Sequence, residues 1–176
     1  MRNGILALIF SLALGSCQSE PSLERFMVEN ADAKNFVHVD VSPSMLTGQL
    51  QNLTSEEQQV LQSFRKLNVL AYKVSDSTDT QVKAKWEEVQ QLVKSQPKYE
   101  EVMRFGSGGK GATLYVVGDE QHVEEFVLLG NGGADTGFAV VRFLGDEMKL
   151  ENAMTLVSII GRAQGGEGLS ELSQFF

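Results

Sequence analysis

The sequence predicts an α+β fold, a two-layer sandwich with a mainly antiparallel sheet and helices packed on one face. Three observations predict it. Apolar residues alternate with a period of two at 36–41 and in four runs between residues 102 and 143. Between and after these runs, apolar residues recur at helical spacing. The four late runs are joined by short stretches rich in Gly, Asn and Asp, as in an antiparallel meander. Strands grouped apart from helices make an α+β domain rather than a chain of βαβ units. With all helices on one side, the other sheet face would be partly exposed and open to a partner or ligand.

Each element has a local reason. Residues 17–35 are mostly polar, with Phe26-Met27-Val28 the only apolar cluster, and read as a tether with one short helical or docking turn. Phe36-Val37-His38-Val39-Asp40-Val41 alternates as a strand. Ser42-Pro43 reads as an N-cap with Pro at the first helical position, followed by Met45, Leu46, Leu50 and Leu53. Thr54-Ser55-Glu56-Glu57 matches a capping box, and Val60, Leu61 and Phe64 continue that helical face. Residues 67–74 read as a strand. Thr78-Asp79-Thr80-Gln81 is a second capping-box candidate, opening a helix that carries Val82, Trp86, Val89, Leu92 and Val93 on one side. Pro97 ends it. The meander runs through 102–105, 112–117, 123–129 and 138–143, and residues 149–161 form a last helix. Residues 162–176 are Gly-rich and polar up to Phe175-Phe176 and read as a loose tail.

The N-terminus has a different character. Arg2 precedes ten almost entirely apolar residues, 5–14, and then Gly15-Ser16-Cys17. A spanning helix needs about 20 apolar residues. This run is too short, and polar Gln18-Ser19-Glu20-Pro21 follows at once. A basic start, a short apolar core and small residues before a cut describe an export signal. Leu14-Gly15-Ser16-Cys17 further resembles the lipobox of bacterial lipoproteins. That resemblance implies a diacylglycerol thioether on Cys17, cleavage between Ser16 and Cys17, and a bilayer anchor of two or three acyl chains. Cys17 is the only cysteine, so no internal disulfide can form. The expected organisation is a signal peptide at 1–16, a tether at 17–35, a domain at 36–161 and a tail at 162–176. Gln18 is not the Asp that retains proteobacterial lipoproteins in the inner membrane, so by that analogy the outer membrane is expected.

Charge narrows the partners. The chain carries a net charge of −8, and loss of the signal removes only Arg2 and makes it one unit more negative. An acidic body without a Lys/Arg cluster disfavours nucleic acid.

A longer pattern lies in the body. Tyr99-Glu100-Glu101-Val102-Met103-Arg104, Gly111-Ala112-Thr113-Leu114-Tyr115-Val116-Val117, Val123-Glu124-Glu125-Phe126-Val127-Leu128-Leu129 and Phe143-Leu144-Gly145-Asp146-Glu147-Met148-Lys149-Leu150 occur in that order. Together they resemble the DUF4252 family, small exported and lipoprotein-like proteins mostly of Bacteroidetes. The resemblance covers roughly residues 24–161. It implies a small α+β domain, and no activity or active-site residues come with it.

Chemical motifs are few. Gly106-Ser107-Gly108-Gly109-Lys110-Gly111 matches GxGxxG, but a dinucleotide loop needs a helix after it. A strand follows, so the stretch reads as a hairpin. His38 and His122 are the only histidines, and without a second cysteine a zinc site would need carboxylates. Ser42, Ser44 and Ser158 lack a nucleophile-elbow context. Glu56-Glu57, Glu87-Glu88, Glu100-Glu101 and Glu124-Glu125 read as solvated faces, since adjacent residues do not face each other on a helix or share a face on a strand. No catalytic, cofactor-binding or metal-binding residues are assigned. The expectation is a membrane-anchored, non-enzymatic interaction module, with the bilayer as one partner through acylated Cys17 and an envelope protein as another. The alternative is a hydrolase or small-ligand carrier using the open sheet face.

Overall fold

A computed structural model describes residues 20–50, 52–75 and 80–162. Cys17 with its signal segment, Thr78 and Asp79 of the second capping-box candidate, and the tail with Phe175-Phe176 lie outside the described residues. Within them the fold is an α+β sandwich around one six-stranded antiparallel sheet of order β1-β2-β6-β5-β4-β3.

The chain starts with α1 (Leu23–Asn30), then β1 (Phe36–Val41), α2 (Pro43–Gln49), α3 (Ser55–Ser63), β2 (Phe64–Lys73) and α4 (Gln81–Lys94). The meander β3 (Glu100–Ser107), β4 (Lys110–Gly118), β5 (Val123–Gly133) and β6 (Gly137–Met148) follows. A 3₁₀ turn at Leu150–Asn152 leads into α5 (Ala153–Arg162). The crossover through α4 carries the chain to the far edge at β3. The meander then returns strand by strand until β6 pairs with β2 over Leu67↔Phe143 to Lys73↔Gly137.

Local chemistry accounts for several boundaries. Pro43 opens α2, where its missing N–H costs nothing. Ser42 makes no side-chain cap there; its Oγ lies 2.9 Å from that of Ser44. Thr54 and Glu57 form the reciprocal capping box in full, satisfying two orphan N–H groups at the start of α3. The Gly106–Gly111 stretch is a hairpin with Phe105 opposite Ala112 and Ser107 opposite Lys110. Its two-residue turn has Gly108 at φ +61 and Gly109 at φ +81, the left-handed pair that a type I′ turn requires. Phe64, read from sequence as the end of a helical face, instead begins β2.

Alternation along the central strands decides the layers. On β2, Leu67, Val69 and Ala71 point one way and Leu70 and Tyr72 the other, and all five are buried. On β6, Ala139, Val141 and Phe143 share the first face, and Phe138 and Val140 the second. The first face packs against Leu46 of α2, Val60 and Leu61 of α3, and Ala153, Leu156 and Ile159 of α5. The second packs against Leu23, Phe26 and Met27 of α1 and Val82, Val89 and Val93 of α4. The expectation of helices on one face is therefore corrected. Strands apolar on both faces must be covered on both. Trp86 belongs to the second core, 5.6 Å from Phe138 between ring centres.

The expected tether at 17–35 is corrected for the same reason. Ser22 accepts a hydrogen bond from the Arg25 N–H at 3.2 Å and so caps α1, and Leu23 is completely buried. The folded body thus includes α1, ahead of Phe36. If α1 is core, Leu23→Ala should lower stability by about 2–5 kcal/mol, the usual cost of such a cavity. Urea denaturation checks this; a true tether would show no change.

Candidate functional site

Charge buried inside a sheet is costly unless it is paired. Arg142 stands in the apolar run of β6, on the face that α1 and α4 cover, and its side chain is 7% exposed. Its Nε donates to Oε1 of Glu125 on β5 at 2.6 Å, and the Glu125 side chain is also 7% exposed. Tyr99, in the link from α4 to β3, donates its hydroxyl to the same carboxylate oxygen at 3.4 Å. Burial first, and then the Glu125 charge, push the Tyr99 phenol well above its ordinary range. It therefore stays protonated and acts as a donor. Burial works against the Arg142 charge, but the hydrogen bond and charge of Glu125 outweigh it and raise the guanidinium further.

Arg142 also belongs to a transverse row, and Glu125 reaches it from one pair along, opposite Leu144. Register places Asp40, Asn68, Arg142, Val127, Tyr115 and Glu101 side by side across all six strands. Asn68 donates its side-chain amide to Asp40. Asp40 also lies 2.8 Å from Lys66 Nζ and 3.1 Å from His38 Nε2. Burial pushes the Asp40 carboxyl up, but hydrogen bonds from Lys66 and Asn68 and the charge of His38 bring it below its ordinary value. At the other edge, Glu101 takes two hydrogen bonds from Arg104, at 2.7 and 3.0 Å. That contact is within reach because β3 carries a bulge between Glu101 and Met103.

The row is built to hold strands in register. No buried side-chain nitrogen or oxygen among the described residues lacks a hydrogen-bond partner. Among those residues, no group of three or more His, Cys, Asp or Glu is placed to hold a metal ion. His38 pairs with Asp40 on β1, and His122 lies against Asp119 in the β4–β5 turn, so the two histidines have separate partners. Ser42 and Ser44 face each other at the start of α2, and Ser158 is exposed on α5.

Of the paired carboxylates, Glu87 and Glu88 meet Lys83 and Lys85 on the outer surface of α4, and Glu57 serves the capping box and meets Arg162. Glu125 departs from the solvated reading: Glu124 faces water while Glu125 faces the core. The signal for it was Arg142. A lone guanidinium in a strand apolar on both faces demands a carboxylate on a neighbouring strand. An open groove of about 540 Å³ lies between α3 and the end of β6, lined by Glu56, Gln59, Ser63, Glu147, Lys149 and Glu151 among others. It is shallow and mostly polar, unlike the largely apolar pockets that enclose small ligands.

The order of strands and the residues of this row fall inside the match to a family model described as a domain of unknown function, DUF4252, over residues 26–156. The chain belongs to that family. No curated protein and no solved structure matches it.

Two outcomes test the row. Arg142→Met should cost about 3–5 kcal/mol by stranding a buried Glu125, and adding Glu125→Leu should recover most of that loss. A double-mutant cycle in urea reads both. Because the folded-state Asp40 carboxyl lies below its ordinary value, its contribution is present above the usual carboxylate range and lost as pH falls through the folded value. The melting-temperature gap between the wild type and Asp40→Asn should therefore narrow on acidification from neutral pH.

Proposed function

We propose that the protein is a bacterial envelope lipoprotein, anchored through acylated Cys17, whose domain acts by binding a partner rather than by catalysis. The observation that carries this reading is Leu14-Gly15-Ser16-Cys17 directly after a short apolar run, followed within a few residues by a capped and buried helix. No described helix is long and apolar enough to cross a membrane, so among the described residues no helix would supply a second, spanning anchor. Two or three acyl chains hold a body at a bilayer without help from its surface. Gln18 in the position after the cysteine favours the outer membrane.

The binding role is supported by how the polar side chains are used. Arg142, Glu125, Tyr99, Asp40 and Asn68 are spent on one another. The hydrolase or carrier reading required an open sheet face, and α1 and α4 pack on that face. Cys17→Ala should abolish fatty-acid labelling and move the protein to the soluble fraction, and unchanged labelling would rule the site out. In-cell crosslinking of the mature form should recover a defined envelope protein. A monomer without crosslinks would count against the binding role.

A further inference from the structure

The point where the chain enters the fold is fixed. The Pro21 carbonyl accepts a hydrogen bond from Gln96 Nε2 at 3.1 Å, Ser22 caps α1, and Leu23 is fully buried. We infer that the end of the domain formed by the start of α1, the end of α4 and the link to β3 is the surface held against lipid headgroups. This rests on the acylation of Cys17 proposed above.

Chain length makes the argument. Pro21 is four residues from Cys17, and four residues of fully extended chain reach at most about 14 Å. β6 alone has 12 residues and spans roughly 40 Å at about 3.3 Å each. The leash is thus far shorter than the sheet. The Pro21–Gln96 hydrogen bond places the start of α1 beside the α4–β3 link. The sheet's other end carries the turn of the β3–β4 hairpin at Gly108-Gly109 and the β5–β6 turn at 134–136, beyond the aromatic cluster of Phe36, Tyr72 and Phe138.

Among the described residues, nothing on the flanks would hold the body flat on a bilayer. Interfacial binding scales with buried apolar area and attraction to anionic lipid. The exposed large apolar residues Val28, Met45, Met103, Phe105 and Met154 are scattered over α1, α2, β3 and α5. The outer surface of α4 presents Lys83, Lys85, Glu87 and Glu88 as ion pairs. The near end mixes Glu20, Glu24 and Glu100 with Lys94 and Lys98, all exposed. It suits a zwitterionic headgroup layer, which neither attracts nor repels it strongly. The leash alone sets which end approaches.

The test uses the full lipidated protein in vesicles of phosphatidylcholine and phosphatidylethanolamine with nitroxide on the headgroups. With Cys17 consumed by its thioether, Ser95→Cys and Asp135→Cys each offer one exposed thiol for a fluorophore. Quenching should be several-fold stronger at position 95 than at 135. A Gly-Ser insert of about twenty residues before Glu20, which spans roughly 25 Å as a coil, should remove the difference. Equal or reversed quenching with the lipid adduct intact by mass would overturn the orientation alone. A difference that survives the insert would overturn the leash as its cause. A missing adduct would bring down the anchor reading, and this inference with it.

Discussion

A strand that is apolar on both sides cannot leave either side in water, and β6 is such a strand. Phe138 and Val140 point to one layer of helices, Ala139, Val141 and Phe143 to the other, and all are buried. The rest of the architecture answers that constraint. α2, α3 and α5 cover one face, and α1 and α4 cover the second. The long crossover through α4 serves two ends at once. It carries the chain to the far edge of the sheet and lays Val82, Val89 and Val93 over the second core. Without α1 beside it, part of that core would face solvent, which is why a segment of mostly polar residues ahead of β1 belongs to the fold.

Among the described residues, the one charged pair admitted to this interior lies on the face that α1 and α4 cover. Arg142 and Glu125 satisfy each other, and Tyr99 closes over the carboxylate. Such a pair is weak support for stability in itself, because desolvation offsets most of the attraction. Its value is in registration. A slip of one residue between β5 and β6 would turn one partner to the opposite face. Asp40 and Asn68 repeat the device between β1 and β2, one step along the same row. The register of the sheet is thereby specified at both of these pairings by groups that accept few alternatives.

Much of this is legible in the sequence. β1 spans the residues that its alternation predicts, and the Thr54–Glu57 box opens α3 as its spacing requires. The hairpin at 106–111 follows from glycines set between two alternating runs, and the meander from its short joins. What was not legible had separate physical causes. The runs at 123–129 and 138–143 read with a period of two, but apolar residues also fill consecutive positions there, so both faces are apolar and a second helical layer is needed. The short helical turn expected near Phe26 is there as α1, but its place in the core was not legible because Leu23, Phe26 and Met27 are few and set among charges. Glu125 was hidden beside Glu124, because a dipeptide of like residues does not tell which of the two faces inward. Cys17 remains a reading of sequence, since it lies outside the described residues.

The outer edge at β3 has a consequence for how copies of this protein tolerate crowding. Its eight residues are almost wholly exposed, and Met103 and Phe105 add apolar surface to an unpaired backbone. An edge of this kind is a template on which another sheet could grow. The bulge after Glu101 breaks the flat run of donors and acceptors, and the Glu101–Arg104 pair sets a charged obstacle beside it. Two molecules meeting edge to edge would have to straighten the one and strip water from the other. At this edge, the first strand after α4, a single irregular residue step thus disfavours sheet-to-sheet growth.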